Sequence, residues 1–384
     1  MEFIKKIGKS ENGSVTVYVL STLIVVLLVT TTIYIGLRNK TTTQIKQMDK
    51  INKEYSVTDT DMQEAYDKAI MGTLESVKGT ETTNTTVKDN LGNQVVVPAG
   101  FKVVNPDDNV TDGIIIEDIS HSATAGSQFV WIPVGDIIKD SEGNKETIKL
   151  SRYTFSSDGT STDQGSKTIE NCWTEDTASN HNSSYGNTIA KDIEDFKSKA
   201  TINHGYYIGR YEARDKSATS ARTSSNVITN QIVCTANNYV YNYITQPKAA
   251  ELSRGMYSDS NFESDLMNSY AWDTAIIFLQ TFDNRVNKES LIPYSRQNSL
   301  NDSLADQGTN SLKDTSKQDV ICNVYDMASN CREWSTETFN NSSTPCSHRG
   351  GSYDNNSYHY ASARNSHTSS NGNSYRSFRP ILYM

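Results

Sequence analysis

Residues 326–334 read D-M-A-S-N-C-R-E-W and residues 349–353 read R-G-G-S-Y. Gly350 and Gly351 permit a positive φ or a close backbone approach that no side chain tolerates. Trp334 supplies a large apolar body with one donor, suited to a core beside a polar loop. Arg349 is followed by Arg364 and Arg379. Planar five-donor groups at such intervals tie irregular backbone together by donating to carbonyls. The last 70 or so residues, rich in Gly, Asn and Ser, therefore read as short strands joined by long ordered loops.

Upstream, short β runs recur at 94–97, 101–104, 113–116 and 128–133, with turn signals at 90–93 and at Asp112–Gly113. The G-Y-Y-I-G-R-Y run at 205–211 reads as an aromatic-rich strand. Residues 246–256 and 269–282 read as helices; in the second, Ala271, Ala275, Leu279 and Phe282 share one face. Residues 157–188, dominated by Ser, Thr, Asn, Asp and Gly, read as a long irregular polar insertion.

The N-terminal portion has a different character. No charged residue occurs between Asn12 and Leu37, and Tyr18 and Tyr34 lie near the ends of the apolar run. About 23 residues at 1.5 Å each span roughly 35 Å, enough for a bilayer core. The expected organisation is a cytoplasmic leader at 1–13, a transmembrane or pilin-like helix at 14–37, a helical stalk and linker at 38–90, and a globular domain at 91–384. This predicts a single-pass cell-membrane protein with its C-terminal domain extracytoplasmic. Gly13 before the apolar run resembles the processing point of type IV pilin-related proteins. Tyr18 stands where those families carry Glu.

The chain has 384 residues, 35% of them hydrophobic, and a formal net charge of −9. That balance argues against nucleic acid as partner, because phosphate binding needs a basic face. The five cysteines, Cys172, Cys234, Cys322, Cys331 and Cys346, form no C-x-x-C pair, so zinc-ribbon and thioredoxin chemistry have no support. The reading is of free, partly buried thiols.

The order of motifs resembles the formylglycine-generating, sulfatase-modifying family. D-M-A-S-N-C-R-E-W, R-G-G-S, Ala363-Arg364 and Ser377-Phe378-Arg379-Pro380 match its strings in sequence, as do F-V-W-I-P at 129–133, Y-Y-I-G-R-Y-E at 206–212 and S-Y-A-W-D at 269–273. The resemblance implies an α+β, C-type lectin-like domain of sulfatase-modifying-factor type, with short strands, two or more helices and long ordered loops. Catalytic members hold copper with two cysteines after R-G-G-S. Residues 353–360 here read Y-D-N-N-S-Y-H-Y, without a thiol, and Cys346 lies before the motif. Soft thiolates are what Cu(I) requires, so an oxidase is the least favoured function and the chain is read as no enzyme. The resemblance further implies a structural Ca²⁺, with Asp326 and Glu333 as side-chain ligands and Ser329 and Cys331 as carbonyl ligands, a hard-oxygen set. The competing reading gives Asp326 and Glu333 to loop N–H groups.

Between Ser352 and Ser377 nearly every position is Ser, Asn, Tyr, His, Asp or Thr, interrupted by framework Ala, Arg and Gly. Tyr gives contact area at low entropy cost, and Ser and Asn give adaptable hydrogen bonds. The composition is similar to variable proteins of diversity-generating retroelements. Candidate ligand-binding residues are Tyr353, Asp354, Asn355, Asn356, Tyr358, His359, Tyr360, Asn365, His367, Asn371, Asn373 and Tyr375. The expected function is recognition of a protein or glycan ligand outside the cell through these loops. The alternative is a minor pilin or pseudopilin tip component within a pilus or oligomeric assembly.

Overall fold

A computed structural model describes residues 71–177, 189–225, 231–236, 239–285, 292–298, 319–353 and 359–384. A compact unit runs from Gly72 to Met384. Two sheets dominate it. In chain order their strands are β1 (Phe101–Val103), β2 (Ile115–Asp118), β3 (Gln128–Pro133), β4 (Trp173–Thr174), β5 (Gly205–Gly209) and β6 (Glu263–Leu266). They continue with β7 (Arg332–Phe339), β8 (Cys346–Arg349), β9 (Arg364–His367), β10 (Arg376–Phe378) and β11 (Pro380–Tyr383).

The larger sheet is antiparallel, in the order β6-β11-β5-β3-β2-β1. Its middle strands, β3 and β5, are almost wholly buried. That is why they are continuous apolar and aromatic runs rather than alternating ones. Trp131 on β3 meets Tyr207 on β5 at 4.9 Å. The second sheet runs β4-β7-β8-β9, with β10 joining β7 in parallel. Between Trp334 and Thr338 the β7–β8 register shifts, as at a β-bulge.

Three α-helices complete the described unit. α1 (Ile193–Ile202) starts at Asp192, whose side chain accepts from the backbone N–H of Glu194 and Asp195, satisfying two amides that a helix start leaves open. Its buried face is Ile193, Phe196 and Ala200. Phe196 packs edge-on against Tyr206 of β5 and Tyr383 of β11. α2 (Gln246–Arg254) has Pro247 in its first turn, where the missing N–H costs nothing. α3 (Ser269–Thr281) is capped by Asn268 and buried nearly all round. It packs against β3 of one sheet and β7 of the other, so its surroundings require an almost continuous apolar surface.

Several expectations need correction. The α+β reading with a transmembrane helix gives way to a mostly-sheet fold with three α-helices among the described residues. No described helix is long and apolar enough to cross a membrane. The longest, α3, has 13 residues, about 20 Å at 1.5 Å per residue against a hydrocarbon core of about 30 Å, and it lies inside the domain. The 14–37 segment, the leader and residues 38–70 of the stalk lie outside the described residues. The single-pass anchor and the membrane localisation drawn from them are therefore not supported. The expected linker is also partly structured. Thr85–Lys88 pairs with Gln94–Val97, and Leu74, Val77 and Val87 are buried. The polar insertion is not uniformly irregular. Ser161–Asp163 pairs with Tyr153–Phe155, and Trp173 is buried against Phe339, with ring centroids 4.5 Å apart. Residues 178–188 lie outside the description.

Candidate binding site

The C-terminal loops stand on a buried framework of charges. α3 carries Asp273, whose Oδ1 accepts from Arg349 Nη2 at 2.5 Å and whose Oδ2 accepts from Arg364 Nη2 and from the Tyr153 N–H. Glu337, within the register shift of β7, accepts from Arg364 Nε at 3.0 and 3.1 Å and from Arg152 Nη2 at 2.6 Å, and it lies 3.4 Å from Arg349 Nη1. These side chains are almost fully buried. Burial alone raises the Glu337 carboxyl, but Arg364, Arg349 and Arg152 outweigh it and hold the group down at about 2. The guanidiniums also donate to the carbonyls of Ala363, Ser362, Tyr153, Lys167 and Trp173. They bind loop backbone in the way that the arginine spacing suggested.

The two glycines set the loops' closest approach. Gly350 has φ +80°, and a Cβ there would sit 2.6 Å from the Met327 carbonyl oxygen; at Gly351 it would sit 1.9 Å from that of Ala328. R-G-G-S thus lies directly against D-M-A-S.

The 326–333 loop is organised around guanidinium. Both Glu333 oxygens accept from Arg379 Nε, and Oε1 accepts from its Nη2 at 2.6 Å. Arg379 also donates to the carbonyls of Gly209 and Tyr325, each at 2.7 Å. Asp326, at φ +64°, receives Ser329 Oγ at 3.3 Å. Glu212 accepts the Cys331 N–H at 3.0 Å and the Asn330 amide. Burial, with Glu333 and Asp326 nearby, drives the Glu212 carboxyl well above the usual range. A calcium at Asp326, Ser329, Cys331 and Glu333 would need the Glu333 carboxylate, which here is occupied by Arg379. The residues in this arrangement therefore do not fit the ion.

Among the candidate contact residues, Asp354, Asn355, Asn356 and Tyr358 lie outside the described residues. The others gather around β8, β9 and β10. Asn365 is exposed, and Tyr353, Tyr360, His367, Asn371, Asn373 and Tyr375 are partly exposed. His359 departs from expectation: it is buried, with its ring 6.3 Å from that of His348. The Tyr353 and Tyr375 rings meet edge-on at 6.5 Å. Arg296 stacks 3.7 Å above Tyr360. His367 Nδ1 accepts the Thr368 N–H at 2.9 Å, and Asn371 Oδ1 accepts from Arg376. The Asn373 carbonyl accepts the Tyr243 N–H at 2.9 Å, pinning the tail to the 243–244 segment.

Sequence reasoning quoted Asp273 and Glu212 only as letters of motifs, without a role, and did not single out Glu337 or Arg152, because the pairing of an acid with an arginine carries no periodic signal. It likewise gave no role to Arg332, inside D-M-A-S-N-C-R-E-W, or to His348 and Arg376, which flank quoted motifs; the three become neighbours only once strands pair. No disulfide joins the cysteines among the described residues, and four of the five are buried. Burial pushes those of Cys346 and Cys234 up to about 12, far from the thiolate that nucleophilic or metal chemistry uses.

No family model matches the chain, and no curated protein matches it. Among solved structures, the crystal structure of CarF is 21% identical over 32% of this chain and 48% of that chain, at a TM-score of 0.24. The chain spans about half the length of that protein, and a likeness at that score carries no argument about fold or function.

Proposed function

We propose that this chain is a non-enzymatic binding protein that recognises a protein or glycan ligand through the loops around β8, β9 and β10. The observation that carries the reading is the contrast within one short stretch. Tyr353, Tyr360, Asn365, His367 and Tyr375 are at least partly exposed, while Arg349, Arg364 and Arg379 beside them are locked to buried carboxylates. Adaptable polar aromatics on a rigid base form a recognition surface of low entropic cost. The Arg, Gly and Trp framework resembles that of the formylglycine-generating family, without thiols after R-G-G-S. The test exposes the full-length chain and a Y353A/Y375A double variant to immobilised glycans and displayed polypeptides. Capture by the parent and not by an equally stable double variant supports the reading. Equal capture by both moves the site elsewhere, and capture by neither removes the proposal.

A further inference from the structure

Most described arginines end on an acid. Those of the buried networks meet Glu337, Asp273 and Glu333, and Arg222, Arg254 and Arg285 pair with Asp215, Asp265 and Asp283. Arg296 ends on a ring. Its guanidinium carbon lies 3.7 Å from the centre of Tyr360, and both residues are partly exposed. Among the described residues no carboxylate or carbonyl accepts from that guanidinium. Both residues stand on fixed backbone. Arg296 closes the short turn Tyr294–Arg296 and donates its N–H to the Pro293 carbonyl at 2.8 Å. The tail runs alongside this turn: the Ala361 N–H donates to the Gln297 carbonyl at 2.9 Å, and the Ser362 N–H to that of Ser295 at 3.1 Å. The Trp272 indole N–H holds the Ala361 carbonyl at 2.9 Å, and Arg285 holds the Ile292 carbonyl at 3.1 Å and the Gln297 side-chain oxygen at 3.0 Å. Backbone thus delivers the cation to the ring, which lowers the entropy that ordering a long side chain would cost on binding.

A ring face attracts a cation through its quadrupole but gives the N–H donors in the guanidinium plane no acceptor. The stack therefore positions the charge and leaves its hydrogen bonding to be completed from outside. A carboxylate matches the planar fork with two parallel hydrogen bonds. The chain as a whole carries −9, so it does not attract acids in general, and an acidic group gains here only by meeting this one cation. Ile292, 38% exposed, and the partly exposed Pro293 enter the same turn and add apolar surface. Arg and Tyr are the residue types that anchor protein interfaces. The Tyr360 face under Arg296 is closed to the C–H face of a sugar, which favours a peptide side chain over a sugar acid. Resting on the binding role proposed above, we infer that Arg296, held on Tyr360, is an anchor of that site and takes an Asp or Glu side chain of a protein partner.

The experiment pans the full-length chain against a displayed random-peptide library and an array of sugar-acid oligosaccharides. Enriched peptides are expected to share an Asp or Glu, and its replacement by Asn or Gln is expected to weaken binding on the order of tenfold or more, as for a hydrogen bond to a charged group. An R296Q variant with unchanged Tm is expected to lose the same peptides to a similar degree. The changes on the peptide side remain decisive if R296Q fails to fold. Enriched peptides that lack a shared acid, tolerate its neutralisation or bind a folded R296Q equally well overturn the anchor and leave the binding role standing. Capture of acidic oligosaccharides alone overturns the protein partner. Capture of nothing overturns both the anchor and the binding role.

Discussion

At the scale of single residues, Gly351 and Asp273 show how little freedom the framework has. A Cβ at Gly351 would stand 1.9 Å from a backbone oxygen, and backbone cannot step aside as the end of a flexible side chain does. Gly351→Ala is expected to destabilise the domain by about 3 kcal/mol, the upper range for overpacking, as a lowered urea midpoint. Asp273 matters for a different reason. Arg349 and Arg364 both donate to it in a site closed to water. Its removal leaves Arg152, Arg349 and Arg364 facing Glu337 alone. Breaking a buried pair costs more than the pair contributes, because the remaining charge cannot be hydrated. Asp273→Ala is expected to cost about 4 kcal/mol, and the same urea titration reads it.

At the scale of elements, the start of α3 is tied to β7 by a carboxyl that neither contains. Glu175 accepts the Ser269 N–H at 2.7 Å and Ser269 Oγ at 2.6 Å through one oxygen, and Thr336 Oγ1 through the other. Part of the residue reaches the surface, but its carboxyl end is enclosed. Burial, helped by Glu337, pushes this carboxyl up to about 7 despite those hydrogen bonds. A carboxyl whose folded value lies above its unfolded one, near 4.5, binds a proton more tightly in the folded state. Its contribution is complete below about 4.5 and is lost as pH rises through about 7. Stability is therefore expected to fall over that interval, and Glu175→Gln to flatten the fall, measured as Tm against pH. Glu337 works in the opposite sense. Its folded value near 2 lies below the ordinary 4.5, so its contribution is present above 4.5 and lost as pH falls toward 2. The effect of Glu175 is therefore measured above pH 4.5, where Glu337 stays ionised in both states.

At the scale of the whole molecule, two buried guanidinium–carboxylate networks hold the sheets and loops together. Glu337 and Asp273 join β7 and α3 to β8 and β9; Glu333 and Arg379 join β7 to the chain entering β11. Because Arg379 engages the Glu333 carboxylate, adding calcium or EDTA is expected to leave Tm unchanged. A rise in Tm with calcium would mean that the ion binds the folded state and that the 326–333 loop rearranges to admit it.

The sequence by itself determined the local elements wherever a short-range signal decides them. β3 was legible as the apolar run at 128–133, and α3 as apolar positions with helical spacing. The glycines of R-G-G-S were legible because their freedom or their close approach is a property of the residue type. Even so, periodicity left α1 unassigned, since three buried positions in ten polar-rich residues make a weak stripe. The Thr-rich end of the 38–90 segment read as linker from its composition, because Val87 is buried only by strands that arrive later in the chain. The site was legible in composition but not in geometry. Tyr353 and Tyr375 stood out as contact types, whereas Arg332, Arg376 and His348 become neighbours only when β7, β8 and β10 pair. Tertiary structure decided which carboxylate each arginine meets, because charge acts through space and carries no sequence period. It likewise decided that His359 is buried beneath the loops.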